Sequence, residues 1–415
     1  MRLQLVLGSF ALALGCGPGP TPTLRPSMPP AAVSPERTAK APAAAPPAAT
    51  TVRVALTSVT ELPCELRLFT LSGKTFGVCG KGMLQADEGG SLQSAPQLAA
   101  GLELDAPGIA PPQLVAMAGE WPGSAWAATT VVSGNGNSSR LRLFRWRRDR
   151  WTPSGLSVEL GGAMSWVVFP WLEDGMVALA PTPFGPTRVL AGTARPARLP
   201  ALTLARQSPE DRASYPCKHA LIAPEAALEL SPGDVMVFAG QLCGVPAAPN
   251  GGDVQARHLG FERLRAGEKQ GELALLPAPS GLPADVFWNV DGAAALSATD
   301  ALVGASGSGG LSYLARWDGQ AWRREAATFA TLTGLWARAG TYWATDAFGG
   351  AWLWRRDRWL RIDWRTPVTR DAAEGSRNQK VTQLFAPNEQ TTWLVQLEER
   401  GQEVTSRVYV VQVEP

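Results

Sequence analysis

Few residues of this 415-residue chain have the types and spacing that chemistry needs, and the cysteines come first. There are five: Cys16, Cys64, Cys79, Cys217 and Cys243. A thiol can carry lipid, pair as a disulfide, ligate metal or act as a nucleophile. Histidine, the usual companion for the last two roles, occurs only at His219 and His258, which excludes an HExxH zinc helix and any histidine-rich metal cluster. Gly73-Lys74-Thr75 has the ending of a phosphate loop, but Leu68 stands where the first glycine is required. Gly134-x-Gly136 has Ser139 where a dinucleotide loop wants Gly or Ala. Carboxylates for glycoside cleavage meet only in the fold, so no pair is singled out. The residues assign no catalytic group, no metal ligand and no cofactor.

The cysteines read as an anchor and two staples. Met1-Arg2 and the apolar stretch 3–14 have the layout of a secretory signal over residues 1–15, too short to span a bilayer as a helix. The stretch runs into Ala13-Leu14-Gly15-Cys16, which resembles the lipobox of bacterial lipoproteins, with Ala13 where the usual pattern has leucine. That resemblance implies lipid on Cys16 and a membrane as partner; Gly17 after the cysteine implies the outer membrane. Ala11-Leu12-Ala13 also fits ordinary signal cleavage, which leaves a periplasmic or secreted protein instead. An odd cysteine count in an exported chain needs a use for the leftover thiol, and acylation of Cys16 supplies one. Four cysteines allow three connectivities, and proximity selects Cys64 with Cys79 and Cys217 with Cys243.

Residues 17–50 hold ten prolines and almost no large apolar side chain, so they cannot build a core. Residues 16–50 read as a disordered linker, biased to polyproline II, whose reach approaches roughly 100 Å when extended. The remainder, 51–415, has the material to fold, since the whole chain is 45% hydrophobic and 18% charged. With 38 basic against 36 acidic residues there is no overall field for nucleic acid, and none is expected as partner.

The elements that position any site are repeats. Residues 141–151, 312–322 and 350–359 each end in a Trp-x₄-Trp pair: Trp146/Trp151, Trp317/Trp322 and Trp354/Trp359. Trp317 and Trp354 are 37 residues apart, and the 171 residues from Trp146 to Trp317 divide into four units of about 43, within the roughly 40–50-residue period of propeller blades. Asp318-Gly319 is a two-residue hairpin signal, which places Trp317 opposite Gln320 and Ala315 opposite Trp322. Turns at Arg148-Asp149 and Arg356-Asp357 instead oppose the two tryptophans directly. In either register both rings share a face and act as packing elements. Shorter apolar runs at 125–127, 301–304 and 341–344 precede the hairpins, and weaker copies lie at 66–84, 166–190, 235–275 and 393–413. The expectation is an all-β propeller of about seven four-stranded blades, with six and eight open, and with loops at 247–252 and 371–380.

At these hairpins the chain resembles predicted β-propeller lipoproteins of Gram-negative bacteria whose blades end in an Arg-Trp-Asp-Gly-x-x-Trp hairpin. The same hairpin is similar to the Asp-box of sialidase-like propellers, but one residue short between aspartate and tryptophan. By analogy of fold, the reading is a monomeric lipid-anchored envelope propeller acting as a binding or scaffold module, with an unknown protein or glycan as ligand. An exported propeller hydrolase or lyase acting on glycans, and an outer-membrane assembly component, are the alternatives. Fold alone does not decide among them.

Overall fold

The computed structural model describes residues 51–413 apart from 88–90, 105–111, 133–137, 162–166, 173–174, 183–184, 194–221, 246–253, 269–271, 278–287, 309, 327–328, 330, 339, 348–349, 356, 365–377 and 389–390. Its strands form six hydrogen-bonded sheets in a ring, an all-β propeller.

The chain opens on β1 (Thr51–Leu62) and then lays down antiparallel meanders. The first unit is β2 (Leu66–Leu71), β3 (Lys74–Cys79), β4 (Gly82–Ala86) and β5 (Leu92–Ser94), followed by a 3-10 turn at Pro96–Ala99. The second is β6 (Gln113–Ala118), β7 (Trp126–Val132), β8 (Ser138–Arg147) and β9 (Arg150–Gly161). The third has three strands among the described residues, β10 (Val167–Trp171), β11 (Gly175–Thr182) and β12 (Gly185–Thr193). The fourth is β13 (Ile222–Ser231), β14 (Asp234–Val245), β15 (Val254–Arg265) and β16 (Glu272–Leu275). The fifth is β17 (Trp288–Ser297), β18 (Asp300–Gly307), β19 (Leu311–Trp317) and β20 (Trp322–Glu325).

The last sheet has eight strands: β21 (Leu332–Arg338), β22 (Thr341–Asp346), β23 (Ala351–Arg355) and β24 (Arg358–Trp364), then β1, then β27 (Glu403–Val413), β26 (Thr391–Arg400) and β25 (Asn378–Asn388). Two four-stranded meanders are joined here by a short parallel pair, from Thr51 opposite Arg361 to Val54 opposite Trp364. Counted as hydrogen-bonded sheets the propeller has six; counted as packing units it has seven, because the innermost strands β2, β6, β10, β13, β17, β21 and β25 touch in sequence and β25 returns to β2. The N-terminal strand completes the C-terminal meander, pairing antiparallel with β27 from Val54 opposite Val413 to Leu62 opposite Ser406. Residues 371–377 of the expected loop lie outside the described set, but its last three open β25, because they pair with Glu399, Glu398 and Leu397 of β26. The expected loop at 247–252 lies wholly outside it.

Burial explains why the second strand of each unit reads as a continuous apolar run. In β18, Ala301, Val303 and Ala305 pack on Met236 and Phe238 of the fourth unit, while Leu302 packs on Leu332, Leu335 and Tyr342 of the sixth. A strand covered on both faces needs no polar alternation. The alternation survives as a choice of neighbour: Tyr342 and Ala344 face back toward the fifth unit, and Trp343 faces forward to Leu384 and Leu394. Seven apolar clusters result, one at each junction between consecutive units, the last joining Trp393 and Val395 to Leu66 and Leu68.

Meander geometry also makes the two rims unlike. First-to-second and third-to-fourth strand turns fall on one rim, and most are tight: Leu71 faces Lys74, Ser231 faces Asp234, Ser297 faces Asp300, Arg147 faces Arg150 and Arg355 faces Arg358. We call this the hairpin rim. The opposite, loop rim takes the second-to-third turns and the connections into each new innermost strand. There, among the described residues, β14 and β15 outrun their neighbours, since from Leu242 opposite Arg257 to Val245 opposite Val254 they pair only with each other.

Candidate functional site

The tryptophan hairpins are core, as the repeat requires. Trp146 faces Trp151 and Trp354 faces Trp359, the registers expected from their Arg-Asp turns, and Arg148 and Asp149 both have positive φ. The Asp318-Gly319 hairpin departs from expectation: Trp317 pairs directly with Trp322, not with Gln320. Asp318 caps the turn instead of occupying its centre, its Oδ1 accepting from the amides of Gln320 at 3.0 Å and Ala321 at 2.8 Å, and Gly319 supplies the positive φ of 93°. Those two backbone donors hold its carboxyl below the usual aspartate range. An Asx turn therefore replaced the two-residue type I′ turn, and the change of loop length shifted the register.

Each pair packs against the unit before it. Trp146 and Trp151 have ring centroids 5.2 Å apart and enclose Trp121, which in turn meets Phe76. Trp322 sits edge-on to Phe238 at 5.5 Å, and Trp359 edge-on to Phe329 at 5.2 Å. The arginine beside the tryptophan points to the opposite face, as strand alternation demands. Arg316 makes two bonds of 3.0 Å to Asp300 and lies 5.7 Å over the Trp354 ring of the next unit. The fourth unit repeats this: Arg263 grips Asp234 at 2.8 and 2.7 Å and lies 5.6 Å over Trp317. A bidentate pair fixes the guanidinium plane, and the plane covers an indole across the junction. Arg263 and Arg316 are thereby occupied within the fold.

Cys64 and Cys79 form a disulfide, Cα atoms 5.5 Å apart, which ties the chain ahead of β2 to the end of β3. Beside it lies a shallow cavity of about 280 Å³ between the first and second units, lined by Arg67, Val78, Pro112, Gln113 and Leu114. Cys16, Cys217 and His219 lie outside the described residues; Cys243 lies in β14 opposite Ala256 and His258 in β15 opposite Gln241, with their side chains outside the described set. Lys74 and Thr75 open a strand after the Ser72-Gly73 turn, with no helix behind it, so the phosphate-loop likeness ends there.

What the sequence concealed is the inner wall. Five innermost strands carry a bulge at an equivalent step, passing over Val115, Glu225, Asp291, Thr333 and Thr382. A bulge re-aims one side chain without ending the strand. Innermost strands also expose an unpaired edge, and such an edge must be satisfied by other means. Glu225 Oε2 accepts from the amide of Val290 in the next unit at 2.7 Å. The Gln383 amide brackets Leu68, accepting from its N–H at 2.9 Å and donating to its carbonyl at 2.8 Å. Ser406 Oγ accepts from Leu66 N and donates to Cys64 O, closing the same junction.

Between the fourth and fifth units these hooks leave two carboxylates as neighbours. Burial pushes the Asp291 carboxyl up to about 6; hydrogen bonds to Ser306 oppose the rise and the charge of Glu225 adds to it. Its Oδ2 has no hydrogen-bond partner among the described residues. An acid with such a value exchanges its proton near neutrality, which is what general acid–base chemistry uses. Among the described residues no group of three or more His, Cys, Asp or Glu could hold a metal ion, and no helix is long and apolar enough to cross a membrane. The signal for this wall is faint but present: Pro224-Glu225-Ala226, Val290-Asp291-Gly292, Leu332-Thr333-Gly334 and Val381-Thr382-Gln383 share one register in the first strand.

No family model matches the chain, and no curated protein does. Solved structures do. YCF48 from Cyanidioschyzon merolae is 11% identical over 85% of this chain and 98% of its own, with a TM-score of 0.43. A structure from a study of two prolyl endopeptidases is 13% identical over 88% of this chain, which spans 50% of that one, at 0.44. The alpha-L-arabinanase of Penicillium chrysogenum is 9% identical over 87% of this chain and 98% of its own, at 0.39. The chain's own geometry is that of an all-β propeller.

Proposed function

We propose that the protein is an envelope-tethered propeller that binds a protein or glycan through its loop rim, anchored by lipid on Cys16. The observation that carries this reading is the inequality of the rims: tight turns prevail on one, while the other, besides tight turns at Cys79/Gly82, Thr182/Gly185 and Arg400/Glu403, takes the connections into each new unit and the β14–β15 ribbon. Binding residues concentrate on loops held by a rigid scaffold. The ring supplies that scaffold, because seven apolar junctions and the β1–β27 closure leave little freedom between units. The anchor and stalk rest on residues 1–50, which lie outside the described set.

The first test is the intact mass of the native protein from a membrane fraction, alkylated with and without reduction. The expected species starts at Cys16 with acyl groups and exposes four thiols only on reduction. A soluble product starting at Leu14 would replace the lipoprotein reading with a secreted one. Binding itself is tested by replacing residues 246–253 with a two-residue turn, which should abolish ligand capture while leaving the melting temperature near that of the native chain.

A glycan-cleaving reading draws on the Glu225 and Asp291 neighbours. Both carboxylates already serve the wall, Glu225 on Val290 and Asp291 on Ser306. Loss of a measured glycosidase activity in Asp291→Asn with unchanged folding would favour it.

A further inference from the structure

The direction of β1 decides which rim the preceding chain leaves from. β24 runs away from its Arg355/Arg358 turn on the hairpin rim, and β1 lies parallel to it with Thr51 opposite Arg361. β1 also starts beside Val413, where β27 arrives at that same rim. Fifty residues precede Thr51, and they join the folded body at the hairpin rim, next to Arg358 and Arg361, which are exposed.

That rim carries two basic corners. In the second unit Arg147, Arg148 and Arg150 are all exposed around Asp149; in the sixth, Arg355 is half-buried and Arg358 and Arg361 are exposed around Asp357. Five arginines thus flank two aspartates at these turns, with Arg361 further along β24 and the exposed Glu120 in the β6–β7 connection of the same rim. Of the tryptophans at these corners, Trp146, Trp151 and Trp359 are at most 5% exposed, while Trp121 and Trp354 are partly exposed. Such a surface offers charge first, with only the partly exposed edges of Trp121 and Trp354 beside it.

We propose that the hairpin rim is a docking face for an anionic lipid bilayer, on which the arginine turns of the second and sixth units engage headgroup phosphates. The inference rests on the envelope reading for the presence of a membrane, and it deepens that reading by orienting the molecule. A linker as long as residues 16–50 sets no orientation by itself, but it lets the hairpin rim reach the surface, and docking there turns the loop rim away from it. Arginine is suited to the contact because its planar fork meets phosphate oxygens in pairs. Each basic residue close to an anionic leaflet strengthens adsorption by about fivefold, and the effect falls away within a Debye length.

The test uses the chain from residue 16 carrying Cys16→Ser, so that no acyl group contributes, and measures cosedimentation with phosphatidylcholine vesicles made with and without phosphatidylglycerol. The expected result is adsorption to the anionic vesicles alone, lost at high salt. Arg147→Glu/Arg148→Glu and Arg355→Glu/Arg358→Glu should each weaken it by about tenfold or more. Lys81→Glu, in a turn of the loop rim, should leave it unchanged. Circular dichroism and thermal melting confirm that the variants fold. Absence of adsorption at low salt, equal adsorption to neutral vesicles, or indifference to both charge reversals overturns the proposal. Because this protein carries no lipid, those outcomes are independent of whether Cys16 is acylated, which the intact mass reports separately.

Discussion

The outer hairpins and the inner wall are two ends of the same meander, and they solve opposite problems. An outer hairpin lies where sheets splay apart and volume must be filled. Tryptophan fills it, one pair packing on the unit before, while the neighbouring arginine covers an indole of the unit after, as Arg316 does Trp354. The inner strands converge, so there is little volume to fill and an unpaired backbone edge to satisfy. Polar side chains do this, from a bulge as Glu225 does for Val290, or from a paired position as Gln383 does for Leu68. Large rings repeat from unit to unit because the wedge they fill repeats. The hooks differ, using carboxylate, amide or hydroxyl, because any acceptor at the right step serves.

Substitutions at five places break or sharpen that contrast. The largest effect is expected at Trp151, 1% exposed, with its backbone and indole N–H groups bonded to Ala100 and Leu98. Trp151→Ala should lower the unfolding free energy by about 3–5 kcal/mol in chemical denaturation. Next comes the disulfide: with a sequence separation of 15, converting Cys64 and Cys79 to serine should cost about 2–3 kcal/mol, read from the same denaturation curves.

At the inner wall, Glu225→Ala leaves the Val290 amide without its acceptor and should cost about 1–3 kcal/mol. Glu225→Gln keeps an acceptor and should recover most of that loss; equal losses would mean that the hook contributes nothing. Asp291 should behave in the reverse sense. Its folded value of about 6 lies above the ordinary 3.8, so the folded state binds the proton more tightly, and this stability is present below about pH 4 and lost as pH rises through about 6. Asp291→Asn should therefore stabilise the protein at pH 7–8 by about 1–2 kcal/mol, allowing for the water that reaches the carboxylate, and flatten the decline between pH 4 and 6. Equilibrium unfolding across that range checks both. The smallest effect belongs to Asp318→Asn on the exposed Asx turn, where the amide oxygen can still accept and the melting temperature should barely move.

The propeller was legible because its outer hairpins carry a signal local in sequence. A Trp-x₄-Trp pair with a turn between its members is complete within one hairpin, and its recurrence about every 40 residues gave the period and, with four weaker copies, the units. Even there one register moved, since Asp318 had two ways of making a turn and only the packing of Trp317 on Trp322 chose between them.

The strand content, the tryptophan hairpins and the pairing of Cys64 with Cys79 were thus legible in the sequence alone, each resting on residues close together along the chain. Tertiary structure decided what depends on partners far apart: the 340-residue span from Leu66 to Ser406, the 315-residue span from Leu68 to Gln383, and the meeting of Glu225 with Asp291 across a junction. It also decided that the N-terminal strand completes the C-terminal meander, and hence the rim from which the preceding chain departs. Periodicity reports which faces of a strand are buried, but not which other strand buries them, and a ring closes only when both ends of the chain are in place.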